Sequence, residues 1–333
     1  MAVSPAATDL LLELEDIHLS FVGVKVLNGV SLGIRRGEIL SIIGPNGAGK
    51  TSLLNCINVH YRPQKGRIRF EGRDIGALKP HDIAALGIAR TFQKVELFHG
   101  MTVLDNVKLG RHAAMKFSLV GSFLRLPHFL REELRHRAEI EEEVLDFMGL
   151  SSFRHHPVAT LPLGVRKRVD MARALATRPK LLLLDEIMAG MAVEEKEDIA
   201  SYILDVHRDL GVTIAWIEHD LAAVMDLSHR VCVLNFGTKI AEGTPHVVQR
   251  DGQVIEAYLG RQGGRATAAA QGGHDARHDL DRTHRQERGT DARGGRASRE
   301  ALRDLAPHQL GRVPGRRGGL RPRDPDPGLP ARR

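Results

Sequence analysis

The chain has few aromatic side chains, 4% of its 333 residues, and only one is tryptophan. It has two cysteines, Cys56 and Cys232, each inside an apolar run. That is too few for a disulfide-stapled secreted domain, so both read as buried thiols of a reducing compartment. No stretch reaches the roughly 18 consecutive apolar residues that a membrane-spanning helix needs. The opening MAVSPAATDLLLELED lacks a basic start and a long apolar segment, so no secretory signal peptide is expected. Residues 261–333 lack Phe, Tyr, Trp and Lys altogether, and hold 17 arginines against 9 acidic residues. Such a segment buries too little apolar surface to offset the entropy of ordering it, and is expected to be a disordered Arg/Gly/Pro-rich tail. Without aromatics it has no stacking platforms for RNA. The remaining 260 residues carry 31 basic and 32 acidic side chains, so the net charge of +7 belongs to the tail and no nucleic-acid partner is expected.

Across those 260 residues, short apolar runs alternate with longer stretches of helical period, the pattern of an α/β domain. Strands are expected at 38–43, 66–71, 87–92, 181–185, 212–218 and 230–236, and helices at about 50–58, 131–148, 164–177, 194–210 and 220–226. Leu181 to Leu184 show no polar alternation, as in a parallel strand covered on both faces. Ile199, Ile203, Val206 and Leu210 fall on one helical face and read as core. Residues 11–35 alternate like strands, with Gly23, Asn28 and Gly29 as turn signals, which predicts a small antiparallel layer ahead of the parallel core. Between Thr91 and Leu161 no strong strand pattern appears. Leu134, Ala138, Leu145 and Met148 share one face there, so the stretch reads as a helical insertion.

One loop carries specific chemistry. Gly44, Pro45, Asn46, Gly47, Ala48, Gly49, Lys50, Thr51 and Ser52 spell GPNGAGKTS, which fits G-x-x-x-x-G-K-[ST] between an apolar strand and an amphipathic run. A phosphate needs several backbone N–H donors converging on it, and the glycines are expected to let the loop wrap that closely. The helix beginning near Lys50 adds about half a unit of positive charge at its start. Lys50 is expected to reach the β- and γ-phosphates, and the Thr51 hydroxyl to ligate magnesium. The expected ligand is a nucleoside triphosphate.

The run LLLLDE places Asp185 and Glu186 at the end of a buried strand, where ligands bind in open parallel sheets. Asp185 suits holding magnesium through water, and Glu186 suits polarising the attacking water. WIEHD repeats the pattern, with His219 at the end of another apolar strand. Gln93, closing RTFQ, is placed to report magnesium and the γ-phosphate to the insertion.

The loop, Gln93, LPLGVRKRVDMARAL, LLLLDE and His219 stand in the order and spacing of the ATP-binding subunits of ABC transporters, and the chain resembles that family over about residues 10–260. It is similar in particular to the ATPase subunits of branched-chain amino acid importers, through the long segment after Gln93 and through DEIMAGM, IEHD, KIAEGTP and VIEAYLG. The resemblance implies a P-loop NTPase core with an antiparallel β layer and a helical insertion at about 94–163, the cassette covering 9–260. It implies ATP and Mg²⁺, a second ATPase subunit (identical or different), transmembrane permeases, a periplasmic solute-binding protein, and a peripheral place on the cytoplasmic face of the inner membrane. Phe21 matches the aromatic that stacks on adenine, though a strand Phe also fits a core. Gly164 belongs to the signature turn that faces the partner's γ-phosphate. Val95, Leu97 and Phe98 are candidates for docking a permease helix, and fit the core of the insertion equally well. A lipid or lipopolysaccharide exporter ATPase, and an ATP-binding partner with weak turnover, are the alternatives.

The chain departs from the family in its signature and at two further positions. Where LSGGQ is typical it reads Leu161, Pro162, Leu163, Gly164, Val165. Pro162 offers neither hydroxyl nor N–H, and Leu163 is bulky. Ile187 replaces the usual Pro, and Ala192 the usual Asp or Asn. The signature serves the partner's nucleotide, so the two sites of a dimer are expected to be unequal.

Overall fold

Strand pairing divides the protein into two sheets. The computed structural model describes residues 10–91, 93, 95–112 and 140–258. Predicted features at Phe92, Leu134, Ala138, residues 259–260 and the tail 261–333 lie outside them. The chain splits into two units, Met1–Asp275 and Ala276–Arg333, and every described residue belongs to the first.

The first sheet is antiparallel, in the order β2-β1-β4-β5, from β1 (Leu10–Phe21), β2 (Val24–Arg35), β4 (Lys65–Phe70) and β5 (Arg73–Asp74). The predicted strand at 66–71 is therefore part of this layer and not of the parallel core. The β1–β2 turn is two residues, Val22 and Gly23, at φ 47° and 82°, with Phe21 opposite Val24. This is the left-handed turn that matches strand twist. Asn28 and Gly29 make no turn. Ile17 pairs Val30 and His18 pairs Asn28, so Gly29, at φ 72°, is the extra residue of a bulge inside β2. Sequence punctuation alone does not distinguish a turn from a bulge, because both need a positive φ.

Val22 is fully exposed and β-branched, so its backbone strain is not offset by packing. Replacing it by Asn, which tolerates that conformation, is expected to stabilise the fold by about 1 kcal/mol. A denaturant midpoint that stays put or falls in Val22→Asn would count against this.

The second sheet runs β10-β9-β3-β8-β7-β6, from β3 (Ile39–Ile43), β6 (Ile88–Arg90), β7 (Leu181–Asp185), β8 (Thr213–Ile217), β9 (Arg230–Asn235) and β10 (Thr238–Gly243). All neighbours are parallel except β10 against β9. Every residue of β3, β7 and β8 is buried. The alternation missing from the sequence reappears as two cores. Leu182, Leu184, Ile214 and Trp216 pack on one side with Val169 and Met171 of a helix, and Leu181, Leu183, Ala215 and Ile217 pack on the other with β1, β2 and a second helix. Both faces are apolar because both are covered.

Helices among the described residues include α1 (Lys50–Ile57), α2 (Pro80–Leu86), α3 (Val103–His112), α4 (Leu163–Leu175), α5 (Val193–Leu210), α6 (Leu221–Leu227) and α7 (Pro245–Gln249). On α5 the predicted stripe is buried at Ile199, Ile203 and Val206, but Leu210 at its last turn is 49% exposed, because the helix ends there at Gly211 and leaves the core. In the predicted insertion, Leu145 and Met148 are fully buried, the turn Ile140–Leu145 is π-helical, and α3 and α4 pack together. Because β3, β6, β7, β8 and β9 are parallel, the segments that follow them all emerge at one edge.

Candidate functional site

At that edge β3 runs into the glycine loop and then α1. Gly49 precedes the helix in a left-handed conformation with no side-chain cap, so the first amides of α1 face outward. Lys50 is buried and its ammonium donates to the carbonyls of Gly44 at 2.7 Å and Pro45 at 3.2 Å, which folds it inside the loop. Asn46, Gly47 and Thr51 are exposed at the mouth.

The structure adds a second reason for two of the glycines. A Cβ on Gly44 would lie 2.0 Å from the Leu234 carbonyl oxygen, and one on Gly49 would lie 2.7 Å from that of Val26. Their φ values of 149° and 99° exclude most side chains as well. Both glycines are demanded by the protein's own strands. Only Gly47, at φ 80° with nothing near its Cβ position, has open space around it. The β9–β10 turn completes the wall: the Gly237 amide donates to Ala48 at 3.0 Å, and the Gly237 carbonyl accepts from Asn28 at 2.8 Å. Burial raises the Tyr258 hydroxyl to a pKa of about 12, and that group shares a backbone hydrogen bond with Gly44.

The ends of β6, β7 and β8 meet beside the loop. Glu186 accepts from His219 Nε2 at 2.9 Å through one oxygen, and from the Gln93 amide at 2.5 Å through the other. The three residues proposed from sequence for the hydrolysis edge thus form one connected group. Glu186 sits at φ 48°, in the left-handed region, and its amide donates to Ile217 at 2.9 Å. Asp185 is 2% exposed; its Oδ2 accepts from Arg90 at 2.7 Å, while its Oδ1 is buried with no partner. An ionised oxygen left in that state is costly without a cation. A magnesium ion held by one carboxylate, a hydroxyl and phosphate oxygens suits this donor set.

Sequence reading missed four members of this region. Arg90 bridges Asp185 to Asn55 of α1, at 2.6 Å to the latter. Glu218 is buried, and its carboxylate accepts the amides of Met188 at 2.8 Å and His219 at 3.2 Å, which fixes the turn after Glu186. Burial pushes its pKa up, against the pull of those two amides. Lys167 of α4 donates to the main-chain carbonyls of Glu186 and Gln93. Tyr258 is the fourth. Arg90 closes the short apolar strand β6 and Glu218 directly follows the buried strand β8, which was the available signal for those two; Lys167, among four other charged residues of α4, carried none.

Pro162 caps α4 without loss, since its carbonyl accepts from Arg166 at 3.0 Å and its absent N–H lies before the helix. Gly164 is buried, and a Cβ there would meet Glu195 at 2.5 Å. Leu163 packs toward Gly190, and Ile187 is 1% exposed in the core. Ala192 is exposed at the start of α5 and donates its amide to Glu195 at 3.1 Å. Phe21 is 41% exposed and meets Tyr61 edge-on at 5.0 Å between centroids, so it is not a core residue.

A groove of about 640 Å³ lies between the sheet and the predicted insertion, lined among others by Arg90, Glu96, Leu97, Phe98, Leu109 and Arg173. Of the three predicted docking residues, Val95 packs on the core, and Leu97 lines the groove wall but is only 6% exposed. Phe98 is 56% exposed and presents its ring to the groove.

A family model described as ABC transporter matches residues 27–189. Another, described as branched-chain amino acid ATP-binding cassette transporter, matches residues 238–263. The chain is 37% identical over 250 residues to the high-affinity branched-chain amino acid transport ATP-binding protein BraF of Pseudomonas aeruginosa, spanning 75% of this chain and 98% of that one. It is 36% identical over 250 residues to LivG of Escherichia coli, with the same coverage. Among solved structures, the ADP conformation of MJ1267, an ATP-binding cassette of an ABC transporter, superposes with a TM-score of 0.66 at 33% identity, over 75% of this chain and 99% of that one.

Proposed function

The chain belongs to the ABC transporter family of ATP-binding proteins, and from that premise we propose that it is the ATPase subunit of an importer for branched-chain or related amino acids. Two findings support the solute class: the relatives' own names, and the match of residues 238–263 to a segment described for branched-chain amino acid cassettes. The observation that carries the hydrolytic reading is the convergence of Gln93, Glu186 and His219 beside the glycine loop.

In this reading the amides of residues 46–52 and the Lys50 ammonium hold the triphosphate, and Phe21 stacks on adenine. Thr51, Gln93 and, through water, Asp185 would hold magnesium, which would supply positive charge to the phosphate oxygens. Glu186 orients the attacking water and takes its proton, while His219 and Gln93 keep that carboxylate aimed. Gly164 and the start of α4 complete the nucleotide site of a second subunit, where the positive end of a helix favours an anion.

Among the described residues no helix is long and apolar enough to cross a membrane. The subunit is therefore read as peripheral, docked on permeases at the cytoplasmic face, with a periplasmic binding protein delivering the solute. Phe98 supplies the apolar contact in the groove. Phe98→Asp is expected to abolish stimulation of ATP hydrolysis by the permeases while unstimulated hydrolysis stays near the parent rate. Full stimulation of this variant in reconstituted vesicles would refute the docking role.

A further inference from the structure

α4 starts at the signature turn and runs inward. Gly164, which this reading directs to the partner's nucleotide, and Lys167 are three residues apart and so lie on the same face of the helix. Lys167 is 3% exposed. Its ammonium donates to the main-chain carbonyl of Glu186 at 3.2 Å and to that of Gln93 at 3.3 Å. It thus binds the backbone of the two residues whose side chains also meet, at 2.5 Å.

A lysine is seldom buried so fully without reason. Burial lowers its pKa, opposed by the nearby carboxylates of Glu218, Asp170, Glu186 and Asp185. Its carbonyl partner Glu186 is a non-glycine residue at φ 48°. A backbone in that region costs of order 1–3 kcal/mol and persists only where its surroundings hold it. Three contacts hold it here: the amide on Ile217, the turn bond from Ala189 at 3.2 Å, and the Lys167 ammonium. Only the last comes from the helix that carries the signature.

We propose that Lys167 is a positioning residue, a latch that ties the signature helix to the backbone of Glu186 and Gln93, so that the helix serving the partner's nucleotide and the carboxylate serving its own move together. This deepens the proposed function and rests on the reading of Glu186 as the water-orienting group. Lys167 touches neither nucleotide in this scheme. It acts on the aim of Glu186, and small errors in such aim are expensive in rate.

The test compares the full-length parent with Lys167→Met, Lys167→Arg, Lys167→Gln and Glu186→Gln, with membrane partners supplied where hydrolysis needs them. Binding of a fluorescent ATP analogue, kcat, KM and the melting temperature are measured for each. Met keeps the stem and its packing and removes the charge. For it the latch requires kcat to fall by about tenfold or more with KM and nucleotide affinity within about twofold of the parent. Lys167→Arg should recover kcat to within about threefold of the parent, since it restores a cationic donor. If Lys167→Met does not fold, Lys167→Gln is read in its place, with the same split between kcat and affinity expected.

Parent-like kcat in the folded uncharged variant, beside an inactive Glu186→Gln, overturns the latch alone. Parallel loss of kcat, affinity and melting temperature without recovery in Lys167→Arg also overturns it, because that pattern is structural. Parent-like turnover in Glu186→Gln removes the reading of Glu186, and the latch with it.

Discussion

Glu186→Gln is expected to lower ATP turnover by about 10²–10⁴-fold while nucleotide affinity stays close to that of the parent. The geometry motivates both halves. Glu186 is not part of the glycine loop to which phosphate binding is assigned, so removing its charge leaves the amides of residues 46–52 and Lys50 in place. Its two oxygens are engaged by His219 at 2.9 Å and Gln93 at 2.5 Å, and Gln can keep a side chain of the same shape between them. What is lost is a carboxylate able to accept a proton from water. Nucleotide then binds without being cleaved, and the closed pair of cassettes is expected to accumulate. Size-exclusion chromatography with ATP and magnesium should show a dimer in the variant that the parent forms only transiently. Hydrolysis at the parent rate would mean that another group orients the water.

The second large effect concerns the loop. Gly44→Ala and Gly49→Ala are each expected to destabilise the protein by more than about 3 kcal/mol even with no nucleotide present, because the added methyl group runs into backbone that cannot yield. The contacts are 2.0 Å to the Leu234 carbonyl and 2.7 Å to that of Val26. Gly47→Ala, with nothing near its Cβ position, should cost only about 1 kcal/mol, for its left-handed backbone. Its larger effect should be on ATP affinity, since residue 47 lies at the open mouth. Chemical denaturation of the three variants without ATP, followed by nucleotide titration of those that fold, separates the two causes. Equal destabilisation by all three would show that the glycines share one role, as the motif by itself implies.

The buried cysteines illustrate a simpler inference that holds. Cys56 and Cys232 are both free and buried, and desolvation raises each thiol to about 12. Neither is a nucleophile or a redox sensor at neutral pH.

Much of this molecule is legible in local pattern. The glycine loop is contiguous, and its chemistry depends on neighbours in the chain. Asp185 and His219 close apolar strands, and a parallel sheet sends every strand end to the same edge, so their convergence follows from topology once the strands are recognised. The unalternating Leu181–Leu184 run already implies two covered faces. Misreadings arose where one residue type serves two geometries. Asn28 and Gly29 form a bulge and not a turn. Ile140–Leu145 takes a π-helical turn that composition does not announce.

By itself, then, the amino-acid order determined the nucleotide loop, the acidic strand end, the family and the layered α/β architecture, because each is written in short windows of periodic or contiguous residues. Only tertiary structure decided why Gly44 and Gly49 must be glycine, that Phe98 is exposed while Leu97 is buried, and which buried cations hold the strand ends around Glu186. Arg90 and Asp185 are joined across strands, as are Lys167 and Glu186 across a helix and a turn. The physical reason is the low dielectric of the interior. A buried charge must find its partner wherever the packed chain brings one, and sequence separation places no limit on that choice.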